Sequence, residues 1–486
     1  MNDRRLKQGD RWKTCRLSPQ IFLEEPTRQP ELLLEMGEQE SVCPYELMRA
    51  TLPYANIWVG DLNYLFSPRN RTLFHDQPGF DLGESLLIID EAHNLAGRLA
   101  DVFSYRVEKE TVEILLAELL LANSHPAIRS ALEDWSDLLA KLVPSDALDD
   151  LLVLECRNCS ETLEKAVRNY PIASDFLDEA ALNALWELAE TASFFTNDHL
   201  EKLVWCPQKG RLRLSCLDAS QEIGEVIDQT GQTVLMSATL EPRPHYLKQT
   251  GLCRRNPAPE WVEAHSPWRK EAYRCAVDVR VNTRYKSRGK YLSTTAETLA
   301  RSVRSSEKPV ISFFPSYRYA EDVRQELRGA FPQISAVLQN RGGAPAEQIA
   351  FIDEAMLGKD LLLLILGSGF AEGIDHLGGL VDLAIVVGPA LPKVNALQNK
   401  RMRDRRDLGR NVAFEEVYQI PGMQKINQAL GRLVRAPGQS ARILFHGVRF
   451  AQPSYQNLLL QDYRSDRLIR NDEELLQWLD LTETIN

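Results

Sequence analysis

Short apolar runs alternate with amphipathic stretches over much of this chain. The run Leu86–Ile89 predicts a strand buried on both faces, and Gln232–Leu240 predicts a second one that ends in small hydroxyl residues. The same pattern predicts further strands at Ala55–Gly60, Pro309–Phe314, Leu361–Leu366, Val381–Val387 and Arg442–His446. Between the later strands, the pattern predicts helices at Ala320–Leu327 and Gln424–Val434. This alternation predicts an α/β fold with mostly parallel sheets and helices on both faces.

Residues 101–205 interrupt the α/β pattern. Leucines recur there at helical spacing, as in Leu115, Leu116 and Leu119, which predicts a helical insertion. The segment also concentrates the acidic residues, with 21 acidic and 8 basic residues, whereas the rest of the chain has 47 acidic and 49 basic. The overall net charge of −11 argues against a nucleic-acid partner, but this distribution leaves room for basic surface outside the insertion.

Composition sets broad limits. A chain of 486 residues has room for two to four domains. It contains no run of eighteen apolar residues, and its first residues are polar and basic, so we expect a cytoplasmic protein with no membrane partner. Eight cysteines in such a chain predict buried thiols or metal ligands before disulfides.

Two carboxylates follow the Leu86–Ile89 strand directly. Asp90 and Glu91 are expected at the carboxyl edge of a parallel sheet, where open α/β folds bind ligands. An acid at this position can hold Mg²⁺ at a nucleotide, and a second one can orient the attacking water. The alternative is a solvated acidic turn, but the sequence Asp90-Glu91-Ala92-His93 matches the DEAH box of helicases.

Three later segments have a related character. Ser237-Ala-Thr239 ends a predicted strand, and its hydroxyls could relay nucleotide state, although such a strand end is common. Gly367–Asp375 is glycine-rich and presents Glu372 and Asp375, either for phosphate or ribose or as a structural turn. In Gln428–Arg435 the spacing predicts that Gln428, Arg432 and Arg435 share one helix face, with Gly431 permitting close approach. The two arginines suit a nucleotide's phosphates, and the alternative is a solvated basic face.

Taken in order, these motifs resemble the XPD/DinG branch (Rad3-related) of superfamily-two DNA helicases. Asn63-Tyr64-Leu65, Cys43-Pro44-Tyr45 and Ser266-Pro267-Trp268 add to the resemblance, which covers nearly the whole chain. It implies two RecA-like domains with parallel sheets, and a helical arch and an iron-sulfur-type insertion in the first. It also implies ATP and Mg²⁺ as cofactors, and single-stranded or branched DNA as the partner, unwound with 5′-to-3′ polarity in repair or recombination.

The resemblance also assigns residue roles and domain limits. Asp90, Glu91, Arg432 and Arg435 would be catalytic, and Phe313, Ser316 and Tyr317 would contact DNA, with a core Phe and a capping Ser as the alternative. ATP binding and coupling would fall to His93, Ser237, Thr239, Gly373, Asp375, Gln428 and Gly431. The expected domains are a partial iron-sulfur-type region with the start of the first RecA-like domain (1–80), the DEAH segment (81–100), the arch-like insertion (101–205), the remainder of the first domain (206–262) and the second RecA-like domain (263–486).

Two parts of the family pattern are incomplete. No Gly-x-x-x-x-Gly-Lys-Ser/Thr occurs in these 486 residues, and Gly358-Lys359-Asp360 lacks both the glycine loop and the hydroxyl. We therefore expect a truncated helicase, or one whose phosphate-binding loop comes from a separate chain. The alternative is a non-catalytic DNA-binding or scaffold remnant.

A [4Fe–4S] cluster needs four thiolates. The family pattern matches Cys43 and allows Cys15, but Trp12 stands where a further ligand is expected. Cys156 and Cys159 lie in helical sequence, where a structural role is favoured over metal binding.

Overall fold

The computed structural model describes residues 4–8, 11–15, 30–39, 43–68, 70–71, 75, 80–172, 177–342, 344–368 and 377–480. The chain divides into two compact units. The first comprises Met1–Met236 and Lys248–Arg254, and the second comprises Ser237–Leu247 and Arg255–Asn486. The first unit is therefore interrupted after Met236 and resumes for Lys248–Arg254, whereas the sequence predicted a first α/β domain that runs without interruption to residue 262.

The first unit contains the following elements: β1 (Arg4–Gln8), β2 (Arg11–Cys15), α1 (Pro30–Gln39), α2 (Pro44–Thr51), α3 (Asn63–Phe66), β3 (Leu86–Ile89), α4 (Leu95–Val102), β4 (Tyr105–Glu108), α5 (Lys109–Leu121), α6 (Pro126–Lys141), α7 (Asp150–Asn169), α8 (Glu179–Thr196), β5 (Glu201–Gln208), β6 (Arg211–Asp218), α9 (Ser220–Asp228) and β7 (Gln232–Leu235). β1 and β2 form an antiparallel hairpin, and β3 pairs with β7 in parallel. The predicted strand at Ala55–Gly60 is wrong, because these residues join no ladder. The Trp58 indole instead donates to the Leu52 carbonyl, and its ring stacks on Phe80.

The sheet formed by β3 and β7 has an open apolar face. Leu86 and Ile88 are each 56% exposed, and Val234 and Met236 are each 44% exposed. Side chains two residues apart on a strand share a face, and Ile88 pairs with Val234 across the ladder. Parallel sheets are normally covered on both faces. The described part of the chain leaves one face of this pair in water.

The predicted helical insertion is present, with a small sheet at its ends. Helices α5–α8 pack around the fully buried Trp135, and β5, β6 and β4 form an antiparallel sheet against the same core. Asp149 and Asp178 begin α7 and α8 by accepting backbone hydrogen bonds from Leu152 and Ala181. Aspartate is a residue type that favours the start of a helix, so the local sequence predicts the same helix starts that the structure shows.

The second unit contains α10 (Arg243–Gln249), which crosses its border, and then β8 (Tyr273–Asp278), α11 (Leu292–Arg304), β9 (Val310–Phe314), α12 (Tyr317–Ala330), β10 (Ala336–Leu338), α13 (Pro345–Gly358), β11 (Leu361–Ile365), β12 (Leu383–Val387), α14 (Ala396–Asp404), α15 (Arg410–Phe414), α16 (Ile420–Leu430), β13 (Ala441–His446), α17 (Pro453–Gln456), β14 (Leu468–Ile469) and α18 (Asp472–Leu479). Seven strands form one sheet in the order β10-β11-β9-β12-β13-β8-β14. All of its pairings are parallel.

Helices cover both faces of this sheet. Alternate residues of β9 enter opposite cores: Ile311 and Phe313 pack in one, and Val310 and Phe314 in the other. The residues of β9, β11 and β12 are all buried, as their continuous apolar runs predicted. The predicted α/β class with a parallel sheet is confirmed. None of the described helices combines the length and the apolar character that crossing a membrane requires.

Candidate functional site

The Asp90–Asn94 segment is hydrogen-bonded at the carboxyl ends of β3 and β7, the two strands of the parallel pair. Asp90 follows the buried Ile89, and one of its carboxylate oxygens accepts the backbone N–H of Glu91 at 2.8 Å. Ala92 donates its N–H to the carbonyl of Met236 at 2.9 Å, and Met236 donates to the carbonyl of Ile89 at 2.8 Å. The carboxylates are thereby held at the carboxyl edge of a parallel pair.

Glu91 has an unusual backbone conformation. Its φ of 47° and ψ of 39° lie in the left-handed region, which costs a non-glycine residue roughly 1–2 kcal/mol. Its carboxylate lies 3.2 Å from Nδ1 of His93, whose side chain is largely buried, while the Glu91 side chain itself is mostly exposed. The turn therefore presents the Glu91 carboxylate to solvent with a histidine behind it. Asp90 and Glu91 are oxygen ligands of the kind that Mg²⁺ prefers, so their chemistry fits that ion.

Ser237 and Thr239 belong to the second unit. The Ser237 hydroxyl accepts the backbone N–H of Thr239 at 3.2 Å, an interaction that stabilises the turn after β7. Thr239 is buried, and its hydroxyl has no hydrogen-bond partner among the residues that the structure describes. Their predicted coupling role stays a prediction.

The start of the predicted glycine-rich turn is described, but Glu372, Gly373 and Asp375 lie outside the described residues. Gly367 has a φ of 75°, and a Cβ built there would lie 2.6 Å from Nζ of Lys425. The Lys425 side chain, from α16, thus lies directly over the turn. The sequence analysis missed Lys425, because nothing in the spacing along the chain connects it to Gly367.

The predicted helix across Gln428–Arg435 is only partly correct. α16 ends at Leu430, so Gln428 is helical, Arg432 lies in a turn and Arg435 lies beyond it in irregular chain. The expectation that all three share one helix face is therefore wrong. Gly431 terminates the helix and donates its N–H to the Asn427 carbonyl at 3.0 Å.

Arg435 is positioned by packing and by a side-chain cap. Its backbone N–H donates to Oε1 of Gln439 at 2.7 Å. A Cβ on Gly378 would lie 3.0 Å from Cγ of Arg435, so glycine at this position lets the arginine stem pack closely. Gln439 was missed by the sequence analysis, since a glutamine after a Pro-Gly pair has no distinctive pattern.

The three residues predicted to contact DNA have different environments. Phe313 is 1% exposed and packs in a core of the second unit, so the alternative of a core phenylalanine is the correct one. The Ser316 hydroxyl caps α12 by accepting the N–H of Tyr319 at 3.4 Å. Tyr317 is half-buried and donates its hydroxyl to the carbonyl of Asn340 at 3.0 Å. Ser316 and Tyr317 lie just after the carboxyl end of β9, and Phe313 lies within that strand.

The cysteines do not assemble a cluster site in the described chain. Cys43 stands at the start of α2, and Cys15 lies in β2 with an undescribed side chain. Among the described side chains, the groups of potential metal ligands include no three cysteines together. Burial raises the pKa of Cys156 to about 12 and that of Cys159 to about 11, which disfavours the thiolate form that metals need. The described residues therefore do not fit a [4Fe–4S] cluster.

A buried polar network links the ends of β8 and β13 in the second unit. Nδ1 of His446 donates to Asp278 at 2.7 Å, and Nε2 of His446 lies 3.0 Å from the Thr295 hydroxyl. Arg280 donates to both oxygens of Asp278, at 2.9 and 2.7 Å. Burial acts to raise the pKa of Asp278, but His446 and Arg280 outweigh it and hold that pKa well below its usual range. The network fixes the carboxyl edge of this sheet.

Comparisons with known proteins agree with this architecture. A family model described as DEAD_2 matches residues 13–112, and one described as Helicase C-terminal domain matches residues 299–466. The "ATP-dependent DNA helicase XPD" of Sulfolobus acidocaldarius is 24% identical over 454 residues, which cover 90% of this chain and 78% of that protein. The "ATP-dependent DNA helicase CHL1" of Candida glabrata is 22% identical over 90% of this chain, but only 59% of that protein's length is covered.

Solved structures show the same fold. A structure titled "XPD_Helicase" superposes with a TM-score of 0.62 at 18% identity, over 88% of this chain and 76% of the other. "Structure of S. tokodaii Xpd4" superposes with a TM-score of 0.58 at 19% identity, over 84% of this chain and 81% of the other. The fold therefore extends across both units of the chain.

Proposed function

Because the chain belongs to the XPD/Rad3-like branch of superfamily-two helicases, we propose that it takes part in coupling ATP hydrolysis to movement along single-stranded DNA. Its relatives are named ATP-dependent DNA helicases, and ATP and Mg²⁺ are the cofactors that this family implies. The observation that carries the proposal is the Asp90–Glu91 carboxylate pair at the end of a parallel strand, where Nδ1 of His93 lies 3.2 Å from the Glu91 carboxylate. A 5′-to-3′ polarity and a role in repair or recombination follow from the family resemblance.

The proposed roles follow from the position of each group. One carboxylate oxygen of Asp90 accepts the backbone N–H of Glu91, and the other would bind Mg²⁺. Glu91 orients or deprotonates the attacking water, and His93 holds its carboxylate. Arg432 and Arg435, which follow α16, would stabilise negative charge on the phosphates.

Hydrolysis also requires groups that cradle the phosphates, and these 486 residues contain no Gly-x-x-x-x-Gly-Lys-Ser/Thr. We propose that residues outside these 486, on a longer form of the chain or on a separate polypeptide, supply this loop. The open apolar face of β3 and β7 supports the idea, since it is the face that further α/β elements would cover. The second candidate function, favoured by the missing loop, is a DNA-binding remnant that does not turn over ATP.

The deciding experiment is ATP hydrolysis by the purified chain, with and without single-stranded DNA. Glu91→Gln keeps the shape of the side chain and removes the carboxylate, and Glu84→Gln, at an exposed acid just before β3, is the matched control. The chain should be silent alone and hydrolyse ATP once a polypeptide carrying the loop is added, and only Glu91→Gln should abolish that rate. Turnover by the chain alone would overturn the need for a separate loop. Turnover that Glu91→Gln leaves intact would overturn the site.

A further inference from the structure

Three side chains that can bind a metal ion lie close together in the first unit. His199 belongs to the segment between α8 and β5, and Glu222 and Glu225 lie on α9. Residues three apart on a helix share one face, so α9 presents both carboxylates on the same side. One ring nitrogen of His199 and one oxygen of each carboxylate all lie within 4.8 Å of one another. No motif used above to assign function includes these residues.

The Nδ1 atom of His199 faces this cluster without a hydrogen bond. The side chain is 40% exposed, but Nδ1 itself is buried and has no hydrogen-bond partner among the residues that the structure describes. Oε1 of Glu225 lies 2.6 Å from Nδ1, so the two atoms are in contact but their angle is wrong for a hydrogen bond. A buried polar atom left unpaired costs free energy. An ion that accepts the lone pair of Nδ1 would remove that cost.

Glu222 adds a buried negative charge to the cluster. Its side chain is 10% exposed, and Arg71 pairs with it at a distance of 3.6 Å between Nη1 and Oε1. The Arg71 side chain is itself 46% exposed, and a long, solvated ion pair of this kind contributes little. Glu225 brings a second carboxylate to the same face of α9. Two carboxylates that share one weakly paired arginine favour a divalent cation between them.

Amide side chains orient both carboxylates. Nδ2 of Asn197 donates to Oε2 of Glu222 at 3.3 Å, and Nε2 of Gln221 donates to Oε1 of Glu225 at 3.2 Å. Oδ1 of Asn197 also accepts the backbone N–H of His199 at 2.9 Å. Hydrogen bonds of this kind, made to the ligands from outside, hold metal ligands in position. Asn197 thus ties the backbone of His199 to the carboxylate of Glu222.

This set of ligands selects one class of ion. Imidazole nitrogen suits first-row transition metals, whereas Mg²⁺ and Ca²⁺ favour sites made only of oxygen. Bonds of about 2.0–2.2 Å from Zn²⁺ to nitrogen and oxygen place the ligand atoms of a tetrahedral site roughly 3.4 Å apart. The separations here, from 2.6 Å to at most 4.8 Å, bracket that value. Three protein ligands leave the fourth position of such a site to water.

We propose that His199, Glu222 and Glu225 bind a first-row divalent transition-metal ion such as Zn²⁺, with water as the fourth ligand. Two of the ligands belong to α9, which packs against α3 and α4, and the third follows α8, the last helix of the insertion. The bound ion fastens the helices of the insertion to α9. This role concerns the structure of the first unit and does not depend on the proposed ATP hydrolysis.

Isothermal titration calorimetry with ZnCl₂ tests the site on the full chain, after EDTA has removed metal and has itself been removed. Asn197→Ala should weaken Zn²⁺ binding by about 10–100-fold, since it removes hydrogen bonds that orient the ligands. His199→Ala and Glu225→Gln remove ligands and should each weaken binding by roughly 100-fold or more. Co²⁺ gives a second signal, because a site of nitrogen and oxygen ligands lacks the charge-transfer band of cysteine thiolates. MgCl₂ should not compete.

The matched control is His265→Ala. Nε2 of His265 lies 3.5 Å from Oε2 of Glu263, so this pair resembles His199 with Glu225, but in the described part of the chain no third metal-binding side chain joins it. The control should bind Zn²⁺ like the wild type. Circular dichroism in EDTA establishes that each variant is folded. Equal losses of Zn²⁺ binding in His265→Ala and His199→Ala would overturn the proposal.

Thermal unfolding separates a metal site from a simple ion pair between His199 and Glu225. Stoichiometric Zn²⁺ should raise the melting temperature of the wild type and of His265→Ala, but not that of His199→Ala, because an ion that binds only the folded chain stabilises it. If His199→Ala lowers the melting temperature equally in EDTA and in Zn²⁺, the histidine only pairs with Glu225 and the proposal is wrong. Undiminished Zn²⁺ binding by His199→Ala, or Mg²⁺ binding as tight as that of Zn²⁺, would also overturn it.

Discussion

Replacing Asp278 by Asn removes a negative charge from the interior of the second unit and keeps the shape of the side chain. Asp278 is fully buried at the end of β8, where it accepts hydrogen bonds from Arg280 and His446. The substitution leaves the Arg280 guanidinium, whose side chain is 9% exposed, without its buried counter-charge. We therefore expect the second unit to lose stability around β8 and β13.

The size of the effect follows from the burial of the pair. Removing one partner of a buried ion pair costs roughly 3–5 kcal/mol, because the remaining charge is left desolvated. Arg280 also pairs with Asp472, whose side chain is 54% exposed, and an exposed pair contributes only about 0–1 kcal/mol. Asp472→Asn is thus a matched control at the same arginine. For a unit of this size, each kcal/mol lowers the melting temperature by about 2–4 °C.

Calorimetry of the full chain measures the shift, and hydrogen–deuterium exchange of peptides covering β8 and β13 assigns the transition to the second unit. Asp278→Asn should lower the melting temperature by roughly 6–20 °C, several times more than Asp472→Asn. Equal shifts for the two variants would refute the reasoning, since they would mean that the desolvation of Asp278 cancels its pairing.

Two further predictions concern the same charges and the Glu91 turn. The pKa of Asp278 is held below its usual range, so its stabilisation is complete above the unfolded-state pKa of about 3.9 and is lost as pH falls below that value. Melting temperatures between neutral and acid pH should therefore fall less steeply in Asp278→Asn than in the wild type, and parallel curves would contradict this. At Glu91, glycine relieves the left-handed strain that alanine keeps, so Glu91→Gly should melt above Glu91→Ala by an amount equivalent to about 1 kcal/mol, and neither variant should hydrolyse ATP when the polypeptide that carries the loop is added. Identical melting curves for the two variants would argue against strain.

The sequence predicts the fold class well where apolar runs are continuous. β9, β11 and β12 lie within two residues of their predicted limits, because strands buried on both faces need uninterrupted apolar residues. β8 was missed, since it carries Arg274 and ends at the buried Asp278, whose partners come from distant parts of the chain. Three-residue β10 has too short a run to produce a pattern.

The site could be predicted only as far as its motifs are local. Asp90 does follow a strand, since four apolar residues before two acids are a local signal. The helix at Gln428 stops at Leu430, which the spacing of polar residues alone could not predict.

The open face of β3 and β7 has a practical consequence for the behaviour of the protein in solution. Two copies of a chain with a net charge of −11 repel each other, but this repulsion is screened within about 8 Å at physiological salt. Contact between the faces formed by Leu86, Ile88, Val234 and Met236 is apolar and is not screened. The high-salt buffers commonly used to strip nucleic acid from such proteins therefore remove the force that keeps copies apart and leave the attraction intact. We therefore expect self-association through these four side chains to increase with ionic strength.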